Sequence, residues 1–390
     1  QIPGQARRGD YQSIGSGKTG HEGVRIGIRK RTHCTTQQKT CFLHTVHHLH
    51  IGGRRKSRLR SERLLERPDT RIMSTLFDRL ELLMLTRVRG LGSKGITSIL
   101  RGALQSRWPL ARIFEMDEQE LRSSYGLKAE AAQEISRNRD SLEAGAKLLD
   151  MSLKERGVRV LTFADSLYPK GILQFFAEPP PILFTYGNLG AAGEISAAVL
   201  TSANPTPWAM QITACVANAV AQSGAVIVTG HNRPSYQEAA LAGKRAGTPI
   251  VVPLDRGILN AFRGDLTREL LAAARIYGYT FPAERDLVVS PFRPEDHWVG
   301  HNNRVRDALV VAMARIVVAV EVREGGVMHR LCLRARQCGK RVLVCKPGAP
   351  WPEASGNTAL IASGFEAVDA GLLPQSAALA VAECQRPPNS

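Results

Sequence analysis

Two loops in the second half of the chain combine residue types that suit phosphate chemistry: "TSANPTP" at Thr201–Pro207 and "TGHNRPS" at Thr229–Ser235. In the second, Gly230 would let backbone approach a ligand closely. Arg233 would set a planar cation at the start of the next helix, where free N–H groups also favour an anion. Arg304 and Lys346 would extend a basic surface. Trp208 and Tyr236, beside the two loops, offer flat rings on which bases of a single strand can stack without regard to sequence. A competing chemistry pairs His231, next to Asn232, with Glu238 as a general base, but the pattern places no serine or cysteine nucleophile nearby. No GxGxxG follows the first strand of this half, which argues against a dinucleotide site.

The elements that must position these loops are legible from residue 195 onward. Six apolar β-rich runs, "ISAAVLT", "AVIVTG", "PIVVPL", "DLVVS", "RIVVAVEV" and "RVLVCK", alternate with stretches long enough for crossover helices. Each run is almost continuously apolar, as expected for strands covered on both faces. The pattern predicts an α/β fold with a doubly wound, mostly parallel, Rossmann-like sheet. In such a sheet ligands sit beyond the carboxyl ends of the strands, where both loops fall. Ahead of it, residues 73–150 carry apolar positions three and four apart, including Leu76, Leu80, Leu83 and Met84, and predict a small helical module. Its "RGLGSKG" turn has the glycine pattern of a helix-hairpin-helix, with Lys94 as counter-charge to a phosphate; because that motif is short and common, a plain helical packing module with a glycine cap is preferred.

Between module and sheet lies "LYPKGILQFFAEPPPILFTYGNL", residues 167–189. Pro179, Pro180 and Pro181 fix φ and feed an extended "ILF" segment that Gly187 and Asn188 end, which predicts a stiff, structured connector.

Composition narrows the remaining choices. The chain has 390 residues and a net charge of +17, but residues 1–72 hold 16 Lys and Arg against 5 Asp and Glu, so most of the charge belongs to that segment and the body is mildly basic. The segment lacks hydrophobic periodicity and precedes the first methionine, Met73. It is expected to be a disordered basic leader of non-native origin, with a phosphate-binding arm as the alternative. Its "GSGKT" at Gly15–Thr19 has Gln12 where a phosphate loop needs its first glycine. His44, His47, His48 and His50 with Cys34 and Cys41 lack the paired spacing of a metal site. No metal and no cofactor are expected. Seven scattered cysteines read as reduced core thiols, and no apolar run approaches the 18 residues of a membrane span, so a cytoplasmic location with no membrane partner is expected.

The connector resembles the lead-in to the sheet in the DNA-processing protein A family (DprA, also called Smf). Further matches follow in order: "SGAVIVTG" with Arg233, "SPFRPEDHW", "NNRVRDAL", "VVAVEVREGG", "GKRVLV" and "GNTALIASGFEAV", together spanning residues 161–368. The resemblance implies an extended Rossmann domain over 151–372, followed by a tail at 373–390. It also implies a non-enzymatic protein that binds single-stranded DNA in DNA processing, natural transformation and RecA-type recombinase loading, as a homodimer. The family's Gly-Ser-Arg loop falls on Thr201, Ser202, Ala203, so Ser202 is kept and the arginine is lost. The Arg-Asn-Arg element fits Asn302, Asn303, Arg304, which keeps Asn303 and Arg304 as contacts, or in another register Arg306, Asp307, Ala308; the first is preferred because it keeps the asparagine. Arg304 and Arg306 also read as a solvated helix face. The alternative is a divergent Rossmann protein that binds or hydrolyses a nucleotide-like small molecule, as the phosphoribohydrolases do. Against it, "EGGVMHRLCLRA" keeps Gly325 and Gly326 but lacks the catalytic glutamate of that group.

Overall fold

The structure, a computed structural model, describes residues 76–348 and 352–386. The basic leader, with its phosphate-loop-like and histidine-rich stretches, lies outside the described residues.

The helical module opens with α1 (Arg79–Arg87), started by Asp78, whose carboxylate accepts from the Leu80 N–H. A turn through Gly90 (φ +70°) leads to α2 (Ser93–Ser106), and a 3₁₀ turn at Leu110–Glu115 leads on to α3 (Glu118–Tyr125). α4 (Ala129–Arg137) and α5 (Arg139–Glu155) complete the module, which runs five residues past its predicted end. Leu83, Leu85, Ile99, Leu100, Leu121, Ile135 and Leu153 are fully buried at its centre. Each such side chain contributes on the order of 1.5–3 kcal/mol. The same core continues into the sheet domain through Phe184, Val252 and Phe262.

The sheet has nine strands in the order β1-β2-β6-β5-β4-β3-β7-β8-β9. β1 (Arg159–Thr162) and β2 (Ile182–Gly187) are antiparallel to each other, and β2 is antiparallel to β6 (Leu287–Ser290). The remaining pairs, among β3 (Ser196–Thr201), β4 (Val226–Val228), β5 (Ile250–Pro253), β6, β7 (Ile316–Glu321), β8 (Arg341–Lys346) and β9 (Glu366–Asp369), are parallel. All six predicted apolar runs are strands. After β3 the chain fills one side and then returns to place β7 on the other, so the order reverses between β3 and β7. Helices α7 (Pro207–Gln222), α8 (Pro234–Ala246), α11 (Asn302–Met313), α12 (Val327–Gln337) and α13 (Ser355–Ala362) supply the crossovers. Two short helices, α9 (Ile258–Ala261) and α10 (Ala272–Ile276), lie between β5 and β6.

The connector is part of the sheet domain. It folds into α6 (Lys170–Phe175) and then β2, and the buried Tyr168 hydroxyl donates to the Pro180 carbonyl at 2.7 Å. A Cβ on Gly187, at φ +102°, would lie 2.0 Å from the Asp286 carbonyl, which is why the strand ends on glycine.

The stretch expected as a tail is in its first part a helix, α14 (Leu373–Gln385), which buries Leu373, Ala377, Ala380 and Val381 in one cluster with Val216, Ala217 and Val220 of α7. Its alanine-rich sequence masked a helical apolar stripe. The thiol reading also changes, since Cys215 on α7 is exposed.

Because Leu373 is fully buried, Leu373→Ala should cost about 2–5 kcal/mol through lost burial and the cavity left behind. A urea midpoint equal to the parent's would show that α14 is not docked as described.

Candidate nucleic-acid interface

The carboxyl ends of β4 and β5 and the start of α11 meet around one guanidinium. Arg306 is fully buried. Its Nε and Nη2 donate to Asp307 Oδ1 at 3.0 and 2.8 Å, and its Nη1 donates to Asp255 Oδ2 at 3.1 Å and to the Asn232 side-chain oxygen. The Tyr236 ring lies 5.2 Å away, and its hydroxyl donates to Asp307 Oδ1 at 2.8 Å. Asp255, at the end of β5, also accepts from Asn232 Nδ2 at 2.6 Å and from Arg256 Nε at 2.9 Å. Two buried carboxylates thus face three arginines. The two arginines other than Arg306 reach the surface, with side-chain exposures of 20% for Arg233 and 28% for Arg256.

Several predicted site residues take other roles. Tyr236 is buried beneath Gly230 and Arg306, so no base can stack on it, and burial together with Asp307 raises its phenol well above the ordinary range. Gly230 is glycine because a Cβ there would press within 2.5 Å of the Tyr236 ring and 3.0 Å of Arg306, not because a ligand approaches it. Trp208 is half-buried and packs against the apolar cluster between α7 and α14. Lys346 is exposed at the end of β8, 3.5 Å from Asp369, and β8 lies three strands from β4, on the order of 14 Å away. Ser202 accepts from the Arg323 N–H at 2.9 Å and so ties the β3 loop to the β7 loop. Arg306 is no solvated helix face, because Asp255 and Asp307 hold it inward.

Other expectations do converge. Arg233 sits directly before α8 and pairs with Asp307 at 3.0 Å. Asn303 accepts from Asn232 Nδ2 at 3.5 Å and from Trp298 Nε1 at 3.4 Å. Arg304 is exposed and has no ion-pair partner among the described residues. Sequence reasoning missed Asp255, signalled only by an acidic residue directly after an apolar strand, and Trp298, an aromatic in a polar loop that is 47% exposed.

The structure does not bring His231 and Glu238 together as a pair. Burial lowers its pKa to about 4, with Arg256 and Arg306 adding to the effect and Asp255, 3.5 Å away, opposing it. Glu238 faces elsewhere, 3.7 Å from Arg245.

The sequence profile of the DNA recombination-mediator protein A family matches residues 159–371, more than half of the chain. The chain belongs to that family. Membership makes it a DNA-binding, DNA-processing protein rather than an enzyme. No curated protein matches it in sequence. Among solved structures, DNA processing protein A from Streptococcus pneumoniae is 17% identical with a TM-score of 0.57, covering 77% of this chain and 98% of that one, and shares the fold. The Helicobacter pylori DNA processing protein A, described for its single-stranded DNA binding mode, is also 17% identical, with a TM-score of 0.46 over 59% of this chain and 97% of its own. A molybdenum cofactor binding protein from Rippkaea orientalis is 13% identical, with a TM-score of 0.33 over 49% and 96%. Among the described residues of this family member, no helix is long and apolar enough to cross a membrane and no group of three or more metal-ligating side chains converges.

The His231 shift has a sign that can be checked. Its folded pKa of about 4 lies below the ordinary 6.5, so the unfolded chain takes up the proton first as pH falls. Stability should therefore be full above pH 6.5 and fall by about 3 kcal/mol between roughly pH 6.5 and 4. His231→Asn should flatten that part of the urea-midpoint profile; an unchanged slope would place the titration elsewhere.

Proposed function

We propose that this protein binds single-stranded DNA along the carboxyl edge of the sheet, with Trp298 as the base platform and Arg233, Arg256 and Arg304 facing the phosphates. The observation that carries the reading is the pairing of an exposed tryptophan with an exposed arginine that has no ion-pair partner. The two lie six residues apart, at a helix start held in place by the buried Arg306 cluster. Stacking contributes affinity without sequence preference, and the guanidinium displaces counterions. Ser202, Gly230 and Asn303 support these loops, whereas Trp208, Tyr236 and Lys346 have no part in this reading.

In this reading the protein acts in the cytoplasm in DNA processing and natural transformation, and helps load a RecA-type recombinase. The recombinase contact and a homodimer follow from the family resemblance and are proposed on that basis.

Fluorescence anisotropy with labelled oligo-dT at several salt concentrations tests the site. Arg304→Ala should lower the magnitude of the salt slope by about 0.7, the share of one phosphate on a single strand. Trp298→Ala should cost about 1–3 kcal/mol of binding and leave the slope unchanged. If both variants bind as the parent does, the strand does not run over this edge.

A further inference from the structure

The helical module carries a basic cleft that the carboxyl-edge site does not use. It has a volume of about 320 Å³ and is lined by Lys94, Thr97, Ser98 and Arg101 of α2, Tyr125 of α3 and Glu178 of the connector. Lys94 and Arg101 are two helical turns apart, about 10 Å along the axis, on the same face. Neither has an ion-pair partner among the described residues. The cleft is a built feature. Ser98 Oγ donates to the Tyr125 carbonyl at 2.9 Å, which fixes the end of α3 against α2. A Cβ on Gly102 would meet the Tyr125 ring at 2.5 Å, so a glycine there keeps the wall in place.

Thr97 adds a polar group between the two cations. It is only 7% exposed, it lines the cleft, and its hydroxyl has no hydrogen-bond partner among the described residues. The residue is largely buried, yet its hydroxyl opens onto the cleft, where it can bond a polar group of a bound molecule. Two cations flanking an unpaired donor on a helix face fit consecutive negative groups along a strand. The first turn of α2 agrees with this, since it contains no acidic residue and Gly92 gives it no side-chain cap.

The cleft is also in line with the edge site. Arg293 Nη2 donates to the Val88 carbonyl at 2.8 Å and to the Leu91 carbonyl at 3.3 Å. Leu91 lies two residues before the start of α2, and Arg293 belongs to the loop that presents Trp298. One guanidinium therefore clamps the base platform to the helix that carries Lys94 and Arg101.

We propose that this cleft is a second contact for the phosphate backbone of single-stranded DNA, engaged by the part of a strand that continues past Trp298 onto the module. The proposal rests on the strand path inferred for the carboxyl edge. Glu178 in the lining weakens the contact, so its neutralisation should strengthen it.

The test is fluorescence anisotropy of labelled oligo-dT of about 6 and about 30 nucleotides, chosen to span the roughly 4–16 nucleotides of a typical single-strand site. Lys94→Gln with Arg101→Gln should weaken the long strand about tenfold and lower its salt slope by about 1.4, two phosphates' worth. The short strand should bind as to the parent. Thr97→Val, close in shape, should weaken only the long strand, and Glu178→Gln should tighten it. Equal losses at both lengths, or no loss at either, would overturn the proposal. So would a thermal shift with dTMP that the double variant abolishes, which would assign the cleft to a small nucleotide. Trp298→Ala separates the two readings: if it changes neither length while the double variant still weakens the long strand, the edge reading fails and the cleft stands.

Discussion

A guanidinium with no contact to water is tolerable only where carboxylates meet it on more than one side, and Arg306 has Asp307 and Asp255 in that role. Removing the guanidinium would strip two buried carboxylates of the cation they share, and breaking a buried pair in this way typically costs about 3–5 kcal/mol. The constraint reaches into the sequence around it. It requires an acid two residues past β5, an asparagine in the β4 loop, a tyrosine in the first turn of α8 and, two residues past β4, a glycine small enough to admit that ring. Three separate crossovers are tied at one point, and with both carboxylates engaged inside, Arg233 and Arg256 are held at the rim.

A second buried ion cluster supports the same edge from behind. Lys244 on α8 lies 2.7 Å from Glu269 and 2.9 Å from Asp286, with all three side chains about 1% exposed. Through Glu269 it ties the excursion between β5 and β6 to α8. The 291–301 loop is anchored as well: the Pro294 carbonyl accepts from the Leu259 and Asn260 N–H groups at 2.8 and 3.2 Å, and the Asp296 carbonyl accepts from the Gly257 N–H at 2.9 Å. Trp298 is thus an exposed ring on a backbone already ordered, so the proposed stacking of a base on it would cost less conformational freedom.

How much of this was legible depended on whether a residue's role was local. β3 to β8 were readable because strands buried on both faces are continuously apolar, and the connector because prolines dictate extended backbone whatever surrounds them. β1 and β9 were not, since four-residue strands such as "RVLT" and "EAVD" at the sheet edges carry little pattern. α14 was missed because alanines and a few leucines form a stripe only once α7 is there to receive it. Within the site, Arg233 was legible as a cation before a helix. Tyr236 and Arg306 were misread because burial is decided by partners far away in sequence: a tyrosine after a loop looks like a stacking surface until Asp307, 71 residues on, takes its hydroxyl.

The point where strand order reverses, between β3 and β7, is where a doubly wound sheet usually takes an anion, at the N-terminus of the helix that follows the first strand. Here that position is already filled. Glu321, at the end of β7 and fully buried, accepts from the Thr206 N–H at 3.0 Å and from its hydroxyl at 2.6 Å, and so caps the start of α7 with a carboxylate of the protein itself. Ser202 and Arg323 close the loops over it. A carboxylate beside the helix N-terminus disfavours an external anion there, and the adjoining β3 loop keeps Ser202 but carries Ala203 where the family resemblance implies an arginine. With the switch point occupied, the cations of this edge stand beside the neighbouring strands, Arg233 before α8 and Arg304 at the start of α11.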